Sequence, residues 1–442
     1  MAATAPADVP TRGRRGQQTA ILLATALTAP GLVVRITGAG LPDVVAPLVY
    51  GLAIVGAAFL LAWAAEVLQL DVSQGLAITL LALIAVLPEY AVDFAFAFKA
   101  GKNPHKFAPL ALANMTGSNR LLIGVGWSLV VLLAAWRITR TARRRGYGGE
   151  LDTDLRLDRP HAIEVSFLGI ATLYSLTLPL KHNLLVIDSF VLIAIFVVFF
   201  VRIGRAPAEE PHLVGPARLV AELAPTRRRL VVGLMFVYAA GVIFACASPF
   251  AESLVHIGER AGISTFLLVQ WVAPLASEAP ELLVAGLFAW RLNTSAGLGT
   301  LLSSKVNQWT LLVGSLPIVF AVSAGHLHGL PLDSLQREEL FLTAAQSAFA
   351  VAVLANRRIS VREALALFGL FIAQFVLGGV LPGSVRELER LGVGAIYLVL
   401  TAGILLRQRR SVPPLLRDGL RVPVGQLFHE QLEGAGAPAV GS

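Results

Sequence analysis

Residues 82–101 read ALIAVLPEYAVDFAFAFKAG. The stretch is apolar enough to lie in a bilayer, yet it carries a proline, Pro88, and two carboxylates, Glu89 and Asp93. Proline has no N–H to donate and its ring blocks the bond to a preceding carbonyl. In a helix at bilayer depth it therefore frees a carbonyl oxygen beside Glu89. Carboxylates and freed carbonyls are hard oxygen ligands of the kind that hold Na⁺ or Ca²⁺. A carboxylate at the membrane centre costs roughly 2.5–3.5 kcal/mol on insertion scales, so a functional role is the default reading and a structural carboxylate paired with a buried base the alternative.

The rest of the chain supports a membrane setting. Of 442 residues, 56% are hydrophobic and only 14% charged, and the mean hydropathy is +0.71, a surface that water would not tolerate. The net charge of +8 lies in short basic clusters between apolar runs, where it sets membrane orientation and does not mark a nucleic-acid partner. Cys246 is the single cysteine, which excludes an intrachain disulfide. The first apolar run is long and lacks a small-residue cleavage site after a short core, so no cleavable signal is expected.

Apolar segments long enough to cross a hydrocarbon core of about 20 helical residues fall at 18–35, 44–66, 72–98, 107–136, 162–180, 184–203, 230–249, 262–290, 297–324, 340–356, 361–381 and 391–406. The expected fold is an all-α polytopic membrane protein of about twelve (10–12) helices. Placing alternate loops in the cytoplasm gathers Arg12, Arg14 and Arg15, then Arg137 to Arg145, Arg202 to Arg229, Arg357 with Arg358, and Arg407 to Arg410 on one side. That satisfies the positive-inside tendency and puts both termini in the cytoplasm of a cell (inner) membrane. The chain divides into an N-terminal segment (1–43), a first half (44–203), a polar linker (204–229) with a short amphipathic helix near 217–223 as one reading of it, a second half (230–381), and a C-terminal helix with a basic tail (382–442).

On either side of the linker a pattern recurs. LPEYAVDFAFAFKAGKNPHKFAPLALANMTGSNRLLIGVG (87–126) and APELLVAGLFAWRLNTSAGLGTLLSSKVNQWTLLVG (279–314) each run from a Pro-Glu helix through a polar turn into a helix that begins small and polar and ends at glycine. Repeats of this kind lie in segments 81–126 and 271–314. Five crossings separate the two Pro-Glu helices, an odd number, so they run in opposite directions. This predicts a 5+5 inverted repeat with broken helices meeting at a midplane site.

At these residues the sequence resembles the sodium/calcium exchanger family of the calcium/cation antiporters. The carriers of the resemblance are AVLPE (85–89) with ANMTGSN (113–119), and more loosely ASEAPE (276–281) with SSKVNQW (303–309). The resemblance implies Glu89 and Glu281 as central cation ligands, Asn114 as an amide ligand and Ser277 as a hydroxyl ligand. A possible additional cation or proton site would draw on Asp93, Ser118, Glu278, Ser303, Ser304, Lys305 and Asn307. It further implies alternating access, no cofactor beyond the transported Ca²⁺, Na⁺ or H⁺, and partners limited to inorganic cations and lipid, with no enzyme activity. Ala85 and Val86 stand where the family carries hydroxyls, and Glu278 stands where it carries serine.

The leading expectation is exchange of Ca²⁺ or a related cation against Na⁺, with H⁺ coupling as the alternative because carboxylates in a low-dielectric cavity also bind protons. A channel would normally build its acidic ring from identical subunits, and an intramembrane hydrolase would need a nucleophile or a water-activating metal that no motif supplies. Lys305 carries two readings, a side chain that snorkels to the headgroups or a tethered cation beside the acidic residues.

Overall fold

The computed structural model describes residues 13–71, 86–144, 146, 149, 151–206, 213, 215–262 and 264–428. These residues are almost entirely helical, and eleven helical segments are long and apolar enough to cross a membrane. They coincide with every predicted crossing except the one at 72–98, whose first fourteen residues lie outside the described set. So do Ala85, Arg12 and Arg145, part of the linker, and the tail beyond 428.

Three helices form one packed group: α1 (Arg14–Thr37), α2 (Val45–Leu68) and the long α9 (Pro225–Ala261). Small residues let their backbones approach, as is usual where lipid removes the hydrophobic drive between helices. A Cβ on Gly56 would stand 2.4 Å from the Ala24 carbonyl oxygen. At the basic end of the group Arg228 and Arg229 clamp Asp71, at 2.7 and 3.0 Å. The resulting ion pairs hold the Asp71 carboxyl at a pKa of about 2.

The remaining helices build the main bundle. In the first half these are α3 (Leu87–Lys102), α4 (Pro104–Leu121), α5 (Ser128–Arg144), α6 (Ala162–Ser175) and α7 (Val186–Ile203). Between α4 and α5 the chain passes through a π-helical turn, Leu122–Trp127, so 104–144 is one rod. The linker contributes α8 (Pro216–Ala221), within a residue or two of the expected amphipathic helix. The second half supplies α10 (Thr265–Trp290), α11 (Thr294–Asn307), α12 (Val313–Ala324), α13 (Ser334–Val353) and α14 (Val361–Val380), followed by α15 (Gly383–Arg407) and α16 (Val412–Leu420). A second π turn, Gln308–Leu312, joins α11 to α12. Two-residue antiparallel ladders staple the loops: Leu155–Arg156 with Arg358–Ile359, and Asn183–Leu184 with Leu330–Pro331.

The acidic helices cross between halves, with α3 lying along α12 and α10 along α4. Close approach at the second crossing depends on Gly117, since a Cβ there would fall 1.8 Å from the Gln270 carbonyl oxygen. One expectation is corrected. Pro88 does open a helix, standing in its first turn, but Pro280 does not break one: α10 runs unbroken through both Pro274 and Pro280. The side-chain hydroxyl of Ser277 donates to the carbonyls of Ala273 and Pro274, the back-bonding to the preceding turn that serine commonly makes inside a helix.

Candidate cation site

Helices α3 and α10 carry the four carboxylates inward. Glu89 and Asp93 stand one turn apart on α3, as do Glu278 and Glu281 on α10, so each pair shares a helix face. All four are buried. Glu278 lies between the other two glutamates, in contact range of both Glu89 and Glu281.

Neutral donors hold this acidic cluster. The Gln308 side-chain amide donates to Glu89 Oε2 at 2.9 Å and also to Glu278 Oε1, bridging the two helices. Asn114 donates to Asp93 Oδ1 at 2.7 Å, and the Ser304 hydroxyl to Glu281 Oε2 at 2.8 Å. Ser118 faces Glu89. The Tyr90 hydroxyl donates to Asn307 Oδ1 at 2.8 Å, a second tie between halves. Oxygens remain over: Glu89 Oε1, Asp93 Oδ2, Asn114 Oδ1, Glu278 Oε2 and Gln308 Oε1 are buried without a hydrogen-bond partner. Buried acceptors left unpaired are costly, and five of them around one acidic cluster form a set of oxygens chemically suited to a hard cation. Among the described residues, no group of three or more His, Cys, Asp or Glu side chains stands ready-made to hold a metal ion.

The π turns place matching residues. Ser118 and Ser304 each precede their turn by four residues, and each faces its own repeat's glutamate, Glu89 or Glu281, with Ser304 donating to it. Five-residue bonding widens a helix and often marks a functional segment. Here the carbonyls just ahead of the first turn take side-chain donors: Asn119 O accepts from Lys305 at 3.0 Å and Arg120 O from Gln346 at 3.4 Å.

The family model for the sodium/calcium exchanger protein matches residues 44–204 and 231–378. The chain belongs to the sodium/calcium exchanger family. Among solved structures, the crystal structure of the H⁺/Ca²⁺ exchanger CAX is 40% identical in sequence, covers 94% of this chain and 99% of its own, and superposes with a TM-score of 0.83. Native YfkE shares the fold at 15% identity and a TM-score of 0.59, covering 82% of this chain and all of its own. No curated protein matches the sequence. Members of this exchanger family are transporters and not enzymes.

For the exchanger, the structure gathers Glu89, Asp93, Asn114, Ser118, Glu278, Glu281 and Ser304 around one cluster. Ser277 points its hydroxyl to its own backbone. Ser303 turns to Glu164 at 3.4 Å, and Asn307 meets Tyr90. Lys305 does not snorkel: it is fully buried, with its ammonium on Asn119. Gln308, the bridge between the acidic helices, is not among the residues expected from sequence. Its signal is an amide directly after Asn307 in the second repeat, a weak one because membrane helices use such residues widely as interhelical glue.

A second polar cluster is likewise unforeseen in the sequence. Arg120 pairs with Glu339 at 2.7 Å, Gln270 donates to the same carboxylate at 2.8 Å, and the guanidinium lies over Trp271. It borders a cavity of about 240 Å³ whose lining includes Gln374, Arg386 and Arg390.

Proposed function

We propose that the exchanger is a secondary antiporter that moves Ca²⁺ or a closely related divalent cation against H⁺. The observation that carries this reading is the contact of Glu89, Glu278 and Glu281 in a buried space. Ionised carboxylates in contact repel, and a dry surrounding magnifies the repulsion. Their contact is stable when a proton or a divalent cation sits among them, so the same oxygens serve both ions in alternation. The 40% identical relative is an H⁺/Ca²⁺ exchanger, which supports the proton over the Na⁺ that the motifs alone put first.

In this reading the protonated cluster is braced by Gln308, and Ca²⁺ entry displaces that amide, drawing the carboxylate oxygens of Glu89, Glu278 and Asp93 and the Asn114 amide oxygen onto one ion as the protons leave. The matched π turns and serines are consistent with a 5+5 inverted repeat and a midplane site. Both termini face the cytoplasm with the Arg-rich loops. Thr226, exposed at the start of α9, tests this orientation: a cysteine introduced there, with Cys246 replaced, is labelled by an impermeant thiol reagent from the cytoplasmic side alone.

Purified protein in liposomes loaded with a pH dye decides the coupling. An imposed pH gradient drives Ca²⁺ uptake, and a Ca²⁺ gradient moves protons the other way, with no Na⁺ present. Uptake that follows a Na⁺ gradient and ignores pH would restore the Na⁺-coupled alternative.

A further inference from the structure

Lys305 is a charged feature of the cluster that the proton cycle above does not use. Its ammonium is wholly buried. Both of its hydrogen-bond partners are acceptors, Asn119 O at 3.0 Å and Asn119 Oδ1 at 2.6 Å, and the Trp309 ring lies 5.0 Å away on another side. Two oxygens and an aromatic face are what an ammonium selects, since it has three donors and no acceptor. The niche is aimed in advance: Asn119 Nδ2 donates to Met115 O at 2.8 Å, which fixes Oδ1 toward Lys305. The charged groups that face the ammonium are Glu89 and Glu278.

Position adds a second, independent observation. Asn119 stands three residues before the first π turn and Lys305 three residues before the second. Matching places of the two repeats therefore hold an amide on one side and an ammonium on the other, bonded to each other. Were both amides, the same spot would present carbonyl and amide oxygens from two sides next to Glu89 and Glu278, a hard-oxygen site suited to Na⁺ or K⁺.

We propose that Lys305 is a covalently tethered monovalent cation, filling an oxygen niche made by Asn119 against Trp309 and thereby excluding alkali cations from the transport site. The inference rests on the H⁺-coupled reading and deepens it: the fixed ammonium explains why protons, and not Na⁺, share the carboxylates with Ca²⁺. It is a specificity-determining residue that need not touch the transported ion.

The test compares wild type, Lys305→Asn and Lys305→Arg, purified in detergent and titrated with NaCl, KCl or choline chloride at equal ionic strength. Wild type and Lys305→Arg keep one melting temperature whichever salt is present. Lys305→Asn rises by several degrees with the logarithm of Na⁺ or K⁺ concentration, as linkage to a bound ion requires, and choline does nothing. In liposomes its Ca²⁺ flux becomes stimulated severalfold by Na⁺ or K⁺. If Lys305→Asn is monodisperse only in an alkali salt, the proposal stands. If it behaves identically in alkali and choline salts, folded or aggregated, the proposal is overturned. Wild-type flux under a pH gradient judges the H⁺-coupled reading separately, because the salt response of the variant's melting temperature is measured without any transport.

Discussion

Gln308 offers the most direct probe of how the site works. Replacing it with methionine keeps roughly the volume and removes the amide. Two hydrogen bonds are lost, to Glu89 Oε2 and Glu278 Oε1. The cation-free cluster is protonated, and bonds between neutral groups contribute about 0.5–1.5 kcal/mol each, so that arrangement loses about 1–3 kcal/mol. The Ca²⁺-bound arrangement loses much less, because there the same oxygens are taken up by the ion. At the lower bound of about 1 kcal/mol, and at about 1.4 kcal/mol per factor of ten, Gln308→Met binds Ca²⁺ about fivefold more tightly. It releases the ion correspondingly more slowly, so turnover falls. Calorimetric Ca²⁺ binding on detergent-purified protein gives the first quantity and Ca²⁺/H⁺ exchange in liposomes the second. A folded variant with unchanged affinity, or with weaker affinity, would refute the view that Gln308 braces the carboxylates against the cation.

Three further outcomes are expected. Glu89→Gln and Glu281→Gln each abolish exchange while remaining monodisperse on gel filtration, and exchange at the wild-type rate in either would remove that residue from the site. Asp71→Asn, outside the membrane, lowers stability at neutral pH by about 2 kcal/mol, the equivalent of a carboxyl lowered from 3.8 to about 2. Because the folded value is the lower one, this stabilisation is fully present above about pH 4 and disappears as pH falls through about 2, so melting curves of variant and wild type should converge in acid. Gly117→Ala places a methyl against the Gln270 carbonyl and prevents α4 from closing on α10, whereas Gly233→Ala meets open space; expression yield and gel filtration separate the two, and equal behaviour would deny the close crossing.

Hydropathy makes the crossings legible because each buries or exposes an apolar run of the right length, and the helices fall on the expected segments. Their ends are less legible. Helix α9 starts at Pro225 and continues past Pro249 to Ala261, because its Arg-rich start is solvated and its far end is held by packing, neither of which an apolar window registers. Pro280 reads as a break in the sequence and is none in the fold for a related reason: in a bundle, neighbouring groups compensate the lost backbone bond, and the helix continues. Within the site, Glu89 and Glu281 stand out because a carboxylate in an apolar run demands an explanation from its immediate neighbours, and Asn114 stands out only through its place in the family motif. Gln308 and Arg120 do not, since their partners lie far along the chain, Glu89 and Glu339 respectively, and nothing local distinguishes a bridging amide from an ordinary interhelical one.

The long-range bonds at the centre share one property that bears on transport. Gln308 to Glu89, Tyr90 to Asn307, and Lys305 to Asn119 all join a residue of one repeat to a residue of the other. Two of the three engage atoms that a cation would also seek or repel, the Glu89 carboxylate and the Asn119 oxygens. A change in site occupancy therefore changes the bonds between halves directly, without a relay through distant helices. A ligand shifts a conformational equilibrium only by its difference in affinity for the two states, and here that difference is written into the hydrogen bonds it must displace. In the H⁺-coupled reading, a Gln308 displaced by the ion no longer holds Glu89 and Glu278 together, so the ion-loaded and proton-loaded forms would favour different spacings of α3 and α10. On the tethered-cation proposal, the bond of Lys305 to Asn119 holds in both forms and is the fixed point between the halves while the Gln308 bridge opens.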